Sequence, residues 1–319
     1  MRESLRATAV QARVRFPRPI NAARGSCSPS ASPCFLAYKM IQEFWTSFVE
    51  SWPYGDRLLV VFCFLIGHSV LVLPINLTAL ALHFWPVKWI ENRWKIQQGA
   101  RPAPRLVKEV VIHVLVNHLI TSPLFAYFIL WPLFEYLQMP IRAPLPSFGR
   151  LMFEFGICAL VNDFMFYWTH RFFHSDPRIY KMFHAQHHRF ITPISWAAEY
   201  ASIPESIFAN LIPTLTGLFM LKSHLFTVTA WLLFAILETL DAHSGFKFPF
   251  SFWRLLDPVL LGPDGHDWHH SHNRGNYGLF KFWDWICGTD LEYRKWLRGE
   301  PTTPFSDSRS PVTSMKKVE

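Results

Sequence analysis

Four long apolar stretches restrict what this chain can fold into. Residues 58–85 begin L-L-V-V-F-C-F-L-I-G-H-S-V-L-V-L and stay largely apolar to Trp85. Residues 110–137 read V-V-I-H-V-L-V-N-H-L-I-T-S-P-L-F-A-Y-F-I-L-W-P-L-F-E-Y-L. Residues 148–169 form a third stretch, and residues 203–242 a fourth that is long enough for a hairpin of two spans. A bilayer core takes about 20 apolar residues per helix. Charged residues are only 17% of the chain, against about 25% in soluble domains. The expectation is an all-α integral membrane protein with four or five transmembrane helices and a helical cap outside the bilayer. His68, Asn76, His113 and Asn117 interrupt the spans and are expected to hydrogen-bond to neighbouring helices.

Lysine and arginine mark cytosolic loops. The loop 86–109 carries Lys88, Arg93, Lys95, Arg101, Arg105 and Lys108, and so reads as cytosolic. The Pro-rich turn 139–147 is then lumenal, the third span delivers His170 to the cytosolic side, and the hairpin 203–242 turns near Lys222–His224. If 58–85 were itself a hairpin around Pro74, only the N-terminus would change sides.

The net charge of +8 is misleading, because residues 1–39 hold +6 of it through Arg2, Arg6, Arg13, Arg15, Arg18, Arg24 and Lys39 against Glu3. Nothing resembles a nucleic-acid face. Residues 1–39 read as a disordered or targeting segment, or as an upstream extension with Met40 as the start. Residues 40–298 read as one membrane-embedded domain, and 299–319 as a Pro/Ser/Thr-rich disordered tail. Lys316 and Lys317, near the end of the chain, match the dilysine signal that returns membrane proteins to the endoplasmic reticulum, a receptor-read address. It calls for a cytosolic C-terminus. The five cysteines include no C-x-x-C spacing, so neither a disulfide framework nor a thiolate metal site is expected.

Histidine carries the chemistry. H-R-F-F-H occupies 170–174, H-A-Q-H-H 184–188 and H-D-W-H-H 266–270, so eight of fifteen histidines lie in three boxes, with His243 between the last two. Imidazole is the commonest metal-binding side chain. On helices, His170 and His174 can point together, as can His184, His187 and His188, and His266, His269 and His270. Nine imidazoles are too many for one hydrolytic zinc, and the H-E-x-x-H pattern is absent. They suit two ions with four or five nitrogens each, and a nitrogen-rich iron pair suits O₂ activation. Asp163, Asp241, Asp267 and Glu238 lie near the boxes and are candidates to accept a ligand N–H. Trp168, Phe172, Trp268 and Tyr277 are candidates to line a flat apolar pocket; Trp and Tyr also gather at membrane interfaces.

The ordered set H-x-x-x-H, H-x-x-H-H, H-S-G-F (243–246) and H-x-x-H-H, with hydrophobic spans before and between, resembles the fatty acid hydroxylase/sterol desaturase superfamily of membrane di-iron enzymes. The likeness covers roughly residues 50–295. Within it the chain is most similar to the methylsterol monooxygenases, which oxidise carbon-4 methyl groups of sterol precursors. D-F-M-F-Y-W-T-H-R-F-F-H (163–174), G-N-Y-G (275–278) and F-W-D-W-I-C-G-T-D (282–290) carry it. The resemblance implies two Fe²⁺ ions held by the eight box histidines and His243, O₂ as oxidant, and electrons from NAD(P)H through cytochrome b5 or its reductase. One departure is Ser202, where the family's E-Y-A-H-P-x-E has a histidine; here residues 199–205 read E-Y-A-S-I-P-E. Sterol 25-hydroxylases, sterol C-5 desaturases and fatty acid hydroxylases share the boxes and are alternative readings. A histidine-rich metal-binding or metal-transporting membrane protein is the alternative of another class, although transporters place ligands at mid-bilayer and these boxes sit at span ends.

Overall fold

The computed structural model describes residues 33–302. Lys316 and Lys317, most of the tail and most of the basic leader lie outside the described residues. The chain divides into two compact units, Met1–Glu43 and Phe44–Glu319. The helix α1 (Pro33–Ser51) covers position 40, so a boundary at 39/40 falls inside a helix.

Among the described residues every regular element is helical, and the isolated bridges Lys95–Phe246 and Leu260–Phe280 are the only β pairings. The order after α1 is α2 (Gly55–Phe84), α3 (Lys88–Trp94), α4 (Pro104–Leu137), α5 (Phe148–Phe173) and α6 (Pro177–Phe183). Then come α7 (residues 203–220), α8 (Leu225–Ala242), α9 (Gly262–His272), α10 (Lys281–Cys287) and α11 (Leu291–Leu297). Four of these, α2, α4, α5 and α8, are long and apolar enough to cross a membrane. Residues 58–85 do not fold back around Pro74: α2 continues to Phe84 past a turn at 70–71, and Pro74 sits in the first turn of its second segment, where a missing N–H costs nothing. The hairpin 203–242 forms as α7 and α8, turning at 221–224 with Lys222 at φ 48°. Leu119 and Phe128 on α4 are 72% and 63% exposed, a surface suited to lipid.

Small residues let the helices approach closely, as in membrane packing generally. A Cβ at Gly217 on α7 would lie 2.9 Å from Cys158 Cα on α5, and one at Gly67 on α2 would lie 2.5 Å from the Thr229 carbonyl oxygen on α8. Three prolines sit inside the long helices α4 and α7. Pro123, Pro132 and Pro213 each follow a widened π-turn, at Asn117–Thr121, Ala126–Leu130 and Ser206–Leu211. Proline lacks an N–H and its ring crowds the carbonyl four residues back; widening the preceding turn lets the helix continue.

The H-S-G-F segment is fixed from outside α8. His83 Nε2 bonds the Ser244 carbonyl at 3.0 Å, and Ile96 N–H donates to the Gly245 carbonyl at 3.0 Å. Gly245 has φ +73°, and a Cβ there would meet the Pro193 carbonyl oxygen at 2.8 Å. Only glycine suits that position.

Candidate metal centre

The nine histidines come from separate parts of the chain and converge. His170 lies in the last turn of α5 and His174 caps it. His184 caps α6, and His187 and His188 begin a 3₁₀ turn. His243 caps α8. His266, His269 and His270 lie on α9. They form one group of five (His170, His174, His184, His188, His269) and one of four (His187, His243, His266, His270), with the donor atoms of each group within 4.8 Å of one another.

The sorting differs from the sequence expectation. Within each H-x-x-H-H box the first and last histidines go to one group, and the middle one, His187 or His269, goes to the other. On a helix like α9, residues three and four positions on from a given residue diverge by about 100°. One box can therefore serve two adjacent centres. The groups adjoin: the His188 and His270 rings stack with centroids 4.7 Å apart.

Hydrogen bonds fix which ring nitrogen faces inward. The Nδ1–H groups of His170, His243, His269 and His270 donate to the carbonyls of Tyr277 (2.8 Å), Thr239 (2.8 Å), Gly275 (2.6 Å) and Phe190 (3.0 Å). A carbonyl only accepts, so each Nε2 is a bare lone pair. His184 Nδ1 lies 2.6 Å from Glu205 Oε1. The Nε2 atoms then crowd together: His266 Nε2 is 2.9 Å from that of His243 and 3.2 Å from that of His270. His188 Nε2 is 3.0 Å from those of both His184 and His269. One proton on His266 satisfies only one of its two neighbours. His170 Nε2 and His174 Nε2 are fully buried with no partner. A cation at the middle of each group satisfies every lone pair at once, and spacings near 3 Å match the edge of a polyhedron with metal–nitrogen bonds of about 2.0–2.1 Å. The residues present therefore fit two metal ions.

Electrostatics agree with neutral, ligating rings. Burial, reinforced by the charge of neighbouring imidazoles, holds His174, His184, His187, His188, His266, His269 and His270 well below the ordinary value. Burial pulls His243 down to about 4.

None of the three expected aspartates bonds a ligand imidazole. Asp163 Oδ1 accepts from the Leu279 and Phe280 N–H groups, Asp241 from Ser251 Oγ, and Asp267 from Gln97 Nε2. Asp163 acts through the backbone, fixing the segment that follows Tyr277. The carboxylate that does meet a ring is Glu205, which the sequence reading passed over. The E-Y-A-S-I-P-E motif held the signal, because Ser202 Oγ caps the turn at Glu205 N and donates to the Phe183 carbonyl just before His184.

A cavity of about 920 Å³ reaches His243 and His266 from between α2, α4, α5, α7 and α8. Its α5 wall is Asn162 and Phe166, one helical turn apart and on the His170 side. Trp168 and Phe172 leave that face and are 43% and 53% exposed, as the helical period requires. Trp268 is buried against His272 and Tyr293, and Tyr277 packs on His170, His174 and His269. None of these four expected pocket residues lines the cavity; its aromatic walls are Phe64, Phe125, Phe166 and Tyr200, set among aliphatic and polar residues. A smaller cavity of about 420 Å³ reaches His188 and His270 past Arg105, Tyr180 and Arg189.

A further cluster, unforeseen from sequence, joins His68, His118 and Glu199. His118 bonds Ser69 Oγ at 2.7 Å and Glu199 Oε1 at 2.9 Å, and Asn117 Nδ2 donates to Glu199 Oε2 at 3.2 Å. Asn117 thus bonds across helices as expected, whereas the Asn76 amide has no partner among the described residues.

Fold and site together define a helical membrane protein with two buried histidine groups set beside a cavity. Comparison places it more narrowly. Residues 155–289 match the fatty acid hydroxylase family model. The chain is 32% identical over 266 residues to a putative methylsterol monooxygenase of Dictyostelium discoideum, covering 82% of this chain and 95% of that protein. It is 33% identical to the C-4 methylsterol oxidase of Candida albicans, covering 62% and 65% of the two chains. It is also 33% identical to a very-long-chain aldehyde decarbonylase of Oryza sativa, covering 63% and 76%. No solved structure matches. The chain belongs to the fatty acid hydroxylase family.

Proposed function

We propose that this protein is a methylsterol monooxygenase of the endoplasmic reticulum membrane that oxidises carbon-4 methyl groups of sterol precursors, with its site and C-terminus cytosolic. One observation carries the reading: the four-histidine group meets, through His243 and His266, a cavity of about 920 Å³, within the roughly 300–1,000 Å³ of small-molecule sites, and the five-histidine group adjoins it. His170, His174, His184, His188 and His269 would hold one Fe²⁺, and His187, His243, His266 and His270 the other. Bound there, the irons would supply O₂ activation, with electrons from NAD(P)H through cytochrome b5 or a reductase.

The protein's part is placement. Backbone carbonyls at Thr239, Gly275, Tyr277 and Phe190 lock four rings with Nε2 inward. The apolar walls from α2, α4, α7 and α8 exclude water and orient a rigid lipid with one end at His243 and His266. The same site could act on another lipid, and the similarity to an aldehyde decarbonylase keeps a long-chain aldehyde as the second reading.

The test is lipid analysis of a cell lacking its own methylsterol monooxygenase, expressing either the wild-type chain or His187→Ala. Wild type is expected to clear accumulated 4,4-dimethylsterols and His187→Ala to leave them. An unchanged sterol profile with a fall in long-chain aldehydes would move the substrate; metal flux without any lipid turnover would end the enzymatic reading.

A further inference from the structure

The cavity wall carries a carboxyl group that the fold leaves unpaired. Glu238 on α8 lines the cavity, and among the described residues it makes no hydrogen bond or ion pair. The other cavity-lining carboxylates are paired: Glu109 with Arg189 at 2.7 Å, Glu199 with His118 at 2.9 Å. An ionisable group inside an apolar span is costly and marks a ligand site.

Its position is the metal end. The next residue, Thr239, gives its carbonyl to His243 Nδ1, and five steps along the helix from Glu238 to His243 are a rise of about 7.5 Å. Asn162 on α5 lines the same cavity, and its side chain makes no hydrogen bond among the described residues. Gly278 and Leu279 line this end too, with Leu279 N–H held by Asp163 at 2.9 Å.

On the function proposed above, a 4-methylsterol fills the cavity. Such a molecule has a single polar atom at its ring end, a hydroxyl on the carbon beside the one bearing the methyl groups. Whatever brings the methyl to the metals brings the hydroxyl with it. We propose that Glu238 and Asn162 bind that hydroxyl: its O–H donates to a Glu238 oxygen, and its oxygen accepts from Asn162 Nδ2. The His68–His118–Glu199 cluster is not the alternative. Its His118 and Glu199 are held by each other, by Ser69 and by Asn117, and Gly67, beside His68, packs on Thr229, which is roughly 20 Å along α8 from His243.

The experiment uses the full chain, metal-loaded, in phospholipid nanodiscs. Equilibrium binding and turnover are measured for 4,4-dimethylsterol and for its counterpart lacking the ring hydroxyl, alongside metal content. A site built to bond a hydroxyl rejects the analogue without it, so wild type is expected to prefer the hydroxyl sterol by about 100-fold or more. Glu238→Leu is expected to shrink that preference to within about 5-fold through weaker binding of the hydroxyl sterol alone, at unchanged metal content. Glu238→Gln, which keeps an acceptor oxygen, is expected to retain most of it. Asn162→Leu, on a different helix, is expected to lower the preference independently. If wild type oxidises methylsterols while Glu238→Leu and Asn162→Leu keep the full preference, the inference fails and the proposed function stands. If wild type neither binds nor oxidises methylsterols, both fail.

Discussion

Replacing Glu205 should loosen the metals without unfolding the protein. Its Oε1 lies 2.6 Å from His184 Nδ1, and the two side chains are only 5% and 3% exposed. Glu205→Ala leaves a buried ring N–H unpaired and removes the group that holds Nε2 inward. Loss of a buried hydrogen bond to a charged group costs about 1.5–3 kcal/mol. Loss of a carboxylate behind a ligating histidine lowers metal affinity about 10- to 100-fold, which is roughly 1.4–2.7 kcal/mol. The two routes agree. Purified protein would be titrated with a chelator and its residual metal counted. Glu205→Ala should release the ion of the five-histidine group at about 10- to 100-fold lower chelator activity, and Glu205→Gln, which keeps an acceptor, should lie between. Asp56→Asn, which loses only the partly exposed pairing with Arg142, serves as the unaffected control. Wild-type retention by Glu205→Ala would refute the assignment of Glu205 as the partner that orients His184.

Three further outcomes are expected. His187→Ala and His188→Ala remove ligands from different groups, so each should retain about one tightly held metal where wild type holds two; two tight metals in either variant would contradict the sorting. Gly67→Ala places a methyl against the Thr229 carbonyl and should lower stability in detergent by about 1–3 kcal/mol, read as a fall in Tm; an unchanged Tm would mean that α2 and α8 do not pack this closely. Lys95 is buried beside His83, and burial, with help from the Arg101 charge, pulls its ammonium from 10.5 down to about 8. The unfolded chain keeps that proton to higher pH, so this group's contribution to stability is full above about 10.5 and is lost as pH falls towards 8, by up to roughly 3 kcal/mol. Lys95→Met should lack that rise, and parallel unfolding curves for both proteins across the window would refute it.

Much of the helical architecture was legible because it is written in local runs. The spans, the turn near Lys222 and the shared face of histidines four residues apart within a box all follow from hydrophobic length and i, i+4 spacing. Aromatic composition suggests Trp168 and Phe172 for the pocket, whereas the helical period turns them away from Asn162 and Phe166. Aromatic identity does not encode direction; the phase of the helix does.

What the sequence determined by itself was a membrane-embedded helical protein with nine imidazoles in three boxes and one isolated position, and through its motifs the family. Only tertiary structure decided that His187 and His269 leave their box neighbours, that Glu205 rather than Asp163, Asp241 or Asp267 meets a ring of the histidine groups, and that Glu238 lines the cavity without a partner among the described residues. The reason is physical. Helix and span formation depend on residues within a turn or two of one another, whereas these partners lie up to about a hundred residues apart and meet only once α5, α8 and α9 have packed.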